Sequence, residues 1–392
     1  MKTQRWMSLH FFIFFLTWGI FLPYWTGWMI DVKEISVGEA SFIMSAGLVA
    51  RGLATLFVFP LLLRLWSSKA LINFLGIATF LSMLLYIPAN STSSLLIITL
   101  LIHVFYPTLM PALDSAAGVL VQEGQLKHYG KSRSWGSIGF VVAGILLTFF
   151  TGALGDDVIL WGLLLGILVF MLLGQLQTPQ TLKKKPEKTA ENPFKMRDLF
   201  KIKGFKLVLL IVILLQAAHA SYYNYGYIYL QEMDTPKFLI GIILNVAVIS
   251  EIIFFAKADT AFGKLSIGSL LSLAALGSTL RWILIFAFPN VIVFTISQTL
   301  HAASFAMGHY AFMKYLTQNI PPLQVPNAQG IYSALALSWS TAVFTAFGGY
   351  LYEIEPRYAF IGMIVSSIPS LLLAMIYQKR ETAVMKTSTQ EV

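Results

Sequence analysis

The chain has 392 residues, of which 57% are hydrophobic, 14% aromatic and only 11% charged, with a mean hydropathy of +0.73. Soluble domains carry about 25% charged residues, so this composition excludes an ordinary soluble enzyme. The net charge of +9 raises nucleic acid as a partner, but the cations sit in short loops of one side, which argues against it. There is no cysteine, which removes disulfides, thiolate metal sites and cysteine nucleophiles.

The apolar stretch from Trp6 to Ile30 is too long for the core of a signal peptide and lacks a small-residue cleavage site, so it reads as a first spanning helix. Further stretches of the roughly 20 apolar residues needed to cross a bilayer run over 40–66, 70–88, 94–121, 134–152 and 157–175. After an interruption they resume at 205–230, 238–258, 265–288, 290–316, 327–352 and 358–377. The expected fold is an all-α membrane protein with twelve transmembrane helices in two six-helix bundles. An N-terminal bundle covers 1–176, a basic, Pro-containing cytoplasmic linker 177–203, a C-terminal bundle 204–378 and a cytoplasmic tail 379–392. With both termini in the cytoplasm, 22 of the 27 Lys and Arg lie on that side and only Lys33, Lys237 and Arg357 on the other. Orientation alone accounts for the basic linker; a regulatory or lipid-binding patch is the alternative.

Two six-helix halves joined by one cytoplasmic loop is the plan of the major facilitator superfamily, with a solute site at the midplane. Helices 1, 4, 7 and 10 would line the cavity. Pro and Gly gather in them, at Gly19, Pro23, Gly27, Pro107, Pro111, Gly226 and Gly308. Such breaks suit helices that bend, although both residues are common in membrane helices.

Ionisable side chains at membrane depth are costly, about 2.5–3.5 kcal/mol on insertion scales, and mark candidate function. Arg51 in the second span (GLVARGLA) has no partner evident from sequence. In the fourth, His103 and Asp114 are eleven residues apart, almost three helical turns or about 16 Å, so a regular helix points both the same way. Asp114 reads as a cavity residue or a buried structural acid, His103 as functional or interfacial. Arg133 opens the fifth span and either pairs with Asp114 and clamps a solute or is a plain positive-inside residue. In the seventh, Gln216 and His219 precede Tyr222, Tyr223 and Tyr227 on one face, suited to an aromatic solute or a sugar, with an interfacial belt as the alternative for Tyr227 and Tyr229.

Glu251, Arg281 and His301 sit one apiece in the next three spans, within VISEIIFF, STLRWILI and QTLHAASF. Desolvation favours a neutral acid and a nearby guanidinium favours the carboxylate. A Glu251 pulled both ways can bind and release a proton as its surroundings alternate; a static ion pair is the bland reading. His309 follows His301 on the same stripe with Phe305 between them, and two histidines on a lining helix suggest more than interhelical bonding.

Together GIFLPYW (19–25), SAGLVARGL (45–53), PALDSA (111–116), YGKSRSWGS (129–137), QAAHASYY (216–223), LRW (280–282), TLHAASFAMGH (299–309) and QGIYSALA (329–336) resemble the 3-phenylpropionate transporter family of the major facilitator superfamily, nearly end to end. A more distant resemblance is to the oligosaccharide:proton symporters that include the lactose permease. It implies a solute-binding acid and Arg at Asp114 and Arg133, and a coupling site of Glu251, Arg281 and His301. The chain departs from that group in having Ser304 and Gln298 where it has an acid and a Lys flanking the helix-10 His. Phe140 stands where that group has a sugar-stacking Trp. The superfamily's acidic, Gly-rich loop signature is degenerate in LLRLWSSKALI and closer in KADTAFGKL.

The resulting expectation is a proton-coupled symporter of the bacterial cytoplasmic membrane that imports a small organic solute, with an aromatic monocarboxylate such as 3-phenylpropionate as the implied substrate. Asp114, Arg133, Phe140, His219, Tyr222, Tyr223 and His309 would bind the solute. Glu251, Arg281 and His301 would couple it to protons. A sugar or nucleoside symporter is the alternative; a drug/proton antiporter is disfavoured because two intramembrane Arg residues repel cationic drugs. No HExxH, GxSxG or GxxxxGK[ST] pattern or metal-spaced cluster points to an enzyme. The expected partners are solute, protons and lipid, with no cofactor or metal, and function as a monomer.

Overall fold

In lipid a backbone can satisfy its polar groups only internally, so each long apolar run becomes a helix. The computed structural model describes residues 3–176, 178–185 and 196–390. Its helices in chain order are α1 (Thr3–Lys33), α2 (Val37–Leu65), α3 (Ser68–Leu84), α4 (Thr92–Gln122), α5 (Tyr129–Leu154), α6 (Val158–Gln175), α7 (Phe205–Glu232), α8 (Lys237–Phe262), α9 (Ile267–Ala287), α10 (Val291–Asn319), α11 (Pro322–Ile354) and α12 (Pro356–Ala383). Eleven are long and apolar enough to cross a membrane, and α3, also apolar, is shorter. Among the described residues there is no strand. The all-α membrane fold expected from the sequence is present. Of the linker, Gln180–Lys183 and Met196–Lys201 form short 3-10 turns; residues 177 and 186–195, and 391–392 of the tail, lie outside the described residues.

Local sequence sets the turns. Ser36 and Glu39 cap α2 reciprocally, each side chain accepting the other's backbone N–H, at 3.1 and 3.0 Å. The α1–α2 and α7–α8 turns each pivot on an acidic residue in the left-handed region, Glu34 (φ 55°) and Asp234 (φ 53°). The same device recurs at the same place in each half of the chain.

The chain forms two compact units, Met1–Ala190 with Asn224–Asn245, and Glu191–Tyr223 with Val246–Val392. In the first, α1 lies against α5 so closely that a Cβ on Gly139 would meet the Phe12 carbonyl, and one on Gly19 would stand 2.9 Å from the Phe140 oxygen. The segment 224–245 is bound into this unit by polar contacts. Tyr227 donates to Asp156 (2.9 Å), Lys237 pairs with Asp156 (2.5 Å), and the Gly241 N–H donates to Thr148 (2.8 Å). In the second unit a cluster including Val208, Val212, Leu215, Leu271, Ala274, Phe312 and Tyr332 packs the inner faces of α7, α9, α10 and α11. The most apolar stretch of α7 is 72% buried and that of α2 only 22%, so α7 is largely covered by protein and much of α2 is left uncovered.

Candidate functional site

Three of the helices expected to line a cavity are broken at identifiable places. α7 is interrupted at Ala218–His219, α10 at Thr299–Leu300 and α4 at Tyr106–Thr108, beside Pro107. α10 then runs as a π-helix over Ala302–Met307. Side chains four apart lead by about 40° in an α-helix and lag by a similar angle in a π-helix. Mixing the two brings His301, Phe305 and His309 into one column. Their rings are nearly parallel, at 5.2 Å and 2°, then 6.3 Å and 7°.

The second unit gathers Arg281, His301, Glu251 and His219 into one site. Arg281 and His219 are wholly buried, and His301 nearly so. The Arg281 guanidinium donates through Nη2 to Gln298 Oε1 (2.8 Å) and through Nη1 to His301 Nδ1 (2.8 Å) and Ser304 Oγ (3.4 Å). Tyr222 and Trp282 each place a ring 4.4 Å from its central carbon. An arginine donates only, so His301 Nδ1 accepts and the ring hydrogen stands on Nε2. That hydrogen faces Glu251 Oε2 across 3.6 Å. The Glu251 side chain keeps 28% of its surface exposed. His301 therefore stands between Glu251 and Arg281.

His219 meets a carbonyl and a hydroxyl. Its Nδ1–H donates to the Leu215 carbonyl (2.9 Å), and in the neutral ring Nε2 accepts the Ser304 hydroxyl (3.1 Å). As neutral rings the two histidines stand in opposite tautomers around one guanidinium. Imidazolium at His301 would turn a donor on to Arg281 at 2.8 Å. The His219 ring also stacks on Tyr223, at 5.8 Å and 25°. His309 lies further along, 3.3 Å from the Tyr332 hydroxyl, which accepts from Gln216 (2.9 Å).

In the first unit Asp114 accepts the Tyr129 hydroxyl (2.9 Å), and Arg133 Nε stands 3.8 Å from its Oδ1. Arg133 lies over Phe15 (4.2 Å) and Phe11 (5.5 Å), with 27% of its side chain exposed. It is thus within ion-pair reach of Asp114, between the two readings the sequence left open. Phe140 is half-buried on α5. His103 is buried, not interfacial: its ring fills the space a Cβ on Gly47 would take, and Nδ1 donates to the Thr99 carbonyl (2.9 Å). The break in α4 between His103 and Asp114 removes the regular helical phase by which the two were expected to point the same way. Tyr227 and Tyr229 are buried rather than forming a belt.

Sequence reasoning brought out the ionisable residues and missed their neutral partners. Trp282, next to Arg281 in LRW, was legible as an aromatic but not as a cover for the guanidinium. Gln298 and Ser304 were visible only as departures from a charged pattern. Tyr129, Phe11 and Phe15 carried no signal. Among the described residues no group of three or more His, Asp or Glu is placed to hold a metal ion.

The family model described as "MFS_1 like family" matches residues 4–362. Over 378 residues the chain is 29% identical to a probable 3-phenylpropionic acid transporter of Escherichia coli (strain K12), covering 95% of this chain and 97% of that protein. It is 25% identical to the maltose permease of Geobacillus stearothermophilus, covering 95% and 94%. Among solved structures it is similar to the nucleoside transporter NupG, with a TM-score of 0.82 at 15% identity over 97% of this chain and 99% of that one. The peptide transporter POT in complex with sulfate gives 0.78 at 12% identity, over 98% and 95%. These likenesses to solved structures carry the fold alone. The family match spans most of the chain and both curated relatives align nearly end to end. The chain is a member of the MFS_1 like family, a multi-pass membrane transporter of the major facilitator kind.

Proposed function

We propose that the protein is a proton-coupled symporter that imports an aromatic monocarboxylate such as 3-phenylpropionate by alternating access. The observation that carries the reading is Glu251. It is a partly exposed acid facing the Nε2–H of a neutral histidine that is itself fixed by a buried arginine. Of the three groups only Glu251 gains a proton without breaking a bond to Arg281, so Glu251 is the proton carrier and His301 its bridge. Arg281 is wholly buried and already engaged. Arg133, partly exposed and set on two Phe rings, and Arg281, set between Tyr222 and Trp282, are the two cations that can face the solute carboxylate. Phe140, His219, Tyr222, Tyr223 and His309 are assigned to solute binding with Asp114 and Arg133. The probable 3-phenylpropionic acid transporter among the relatives supports the solute class. The location assigned is the bacterial cytoplasmic membrane, with both termini on the cytoplasmic side.

A neutral solute is the second reading. The Asp114–Arg133 pair and the maltose permease among the relatives favour it. Uptake into proteoliposomes under an imposed pH gradient separates the two, with 3-phenylpropionate, maltose and uridine compared. The expected outcome is accumulation of 3-phenylpropionate, lost in Glu251→Gln while exchange persists. Full accumulation by that variant would sink the assignment of Glu251.

A further inference from the structure

A buried cation requires a counter-charge or a complete set of acceptors. Arg281 bonds only to uncharged acceptors, its Nε has no hydrogen-bond partner, and aromatic rings lie over it. The ionisable groups near Glu251 include His301 from α10, Arg281 from α9, and His219, Tyr222 and Tyr223 from α7. His301 is neutral by the direction of its bond to Arg281, a second cation at the wholly buried His219 is opposed by burial and by the guanidinium's like charge, and tyrosine is neutral near pH 7. With Glu251 ionised, the site holds one positive and one negative charge. With Glu251 protonated, Arg281 is left as its single charge.

We propose that this site selects a monoanion: a proton on Glu251 uncovers the charge of Arg281, a solute carboxylate restores neutrality, and one proton and one monoanion cross together with no net movement of charge. The inference rests on Glu251 as the proton carrier and adds the charge of the solute, the stoichiometry and the dependence of each ligand on the other. The transferred proton goes to a carboxylate oxygen of Glu251 and leaves from it, and no other bond changes. Binding of proton and anion is reciprocal, each strengthening the other by the same factor.

The test uses the full chain in proteoliposomes, with 3-phenylpropionate as the probe and a potassium diffusion potential set independently of the pH gradient. The expected result is accumulation driven by the pH gradient and unchanged by an inside-negative potential of about 100 mV. Co-transport of one net charge would instead raise accumulation by up to about 50-fold at that potential. Accumulation that rises with the potential overturns the monoanion inference and leaves the symporter reading standing. No accumulation under either force overturns both.

Binding to the purified chain gives a second readout. The affinity of the wild type for 3-phenylpropionate falls about tenfold per pH unit above the point where Glu251 loses its proton. Glu251→Gln, permanently uncharged, keeps one affinity from about pH 6 to pH 8. A wild type with no such fall, or a variant that retains it, refutes the charge balance.

Discussion

Replacing Gln298 with Leu tests whether neutral acceptors hold the buried guanidinium. Gln298 is wholly buried, and its Oε1 accepts from Arg281 Nη2 at 2.8 Å while its Nε2 donates to the Phe294 carbonyl at 3.0 Å. Leucine fills nearly the same volume, so the cavity contribution is small and the loss is polar. A hydrogen bond to a charged group contributes about 1.5–3 kcal/mol, and a wholly buried Nη2 cannot recover it from bulk solvent. His301 and Ser304 remain, but both bond to Nη1. The expected cost is therefore about 2–3 kcal/mol, lowering the unfolding midpoint by roughly 1 °C per kcal/mol in a chain of this size. Thermal unfolding in a fixed detergent provides the measurement, with Gln298→Glu beside it. The acid restores the acceptor for Arg281 and supplies a counter-charge but loses the donor to the Phe294 carbonyl, so only part of the stability returns and the anion binds more weakly at every pH. Wild-type stability in Gln298→Leu would refute the reasoning, because it would mean that Arg281 does not depend on this acceptor.

Trp282→Leu removes one ring from the guanidinium, its stack on Phe360 and its bond to Ser278. A loss of about 1–2 kcal/mol is expected from the cation–π contact alone, checked by the same unfolding assay and by retention of activity in Trp282→Phe. Asp156→Ala strands the nearly buried Tyr227 hydroxyl and costs about 1–3 kcal/mol. Lys237→Met leaves the Asp156 carboxylate, only 7% exposed, with the Tyr227 hydroxyl but no cation, and costs about 1–3 kcal/mol as well; wild-type stability in that variant would contradict this. Gly139→Val forces a side chain on to the Phe12 carbonyl and drives α1 from α5, at about 1–3 kcal/mol. Its yield of folded protein by size-exclusion chromatography should drop, and an unchanged yield would show that the helices yield freely there.

The sequence by itself determined the number and type of elements, because a bilayer permits only one solution for a twenty-residue apolar run. It also determined which residues are costly: Glu251, Arg281, His301, Asp114 and Arg133 stand out from oily surroundings as charges always do. Partnership was decided by tertiary structure. Periodicity along one helix says nothing of what a neighbouring helix presents, so His301 as the bridge between Glu251 and Arg281 was not legible, nor were Gln298, Ser304 and Trp282 as the shell of the guanidinium. The phase of His103 against Asp114 was misread because a helix break cancels the regular repeat on which the inference rested. The protonation pattern likewise needed three dimensions. A histidine's tautomer follows from what its two nitrogens meet, and only the fold set His301 against a donor and His219 against a carbonyl.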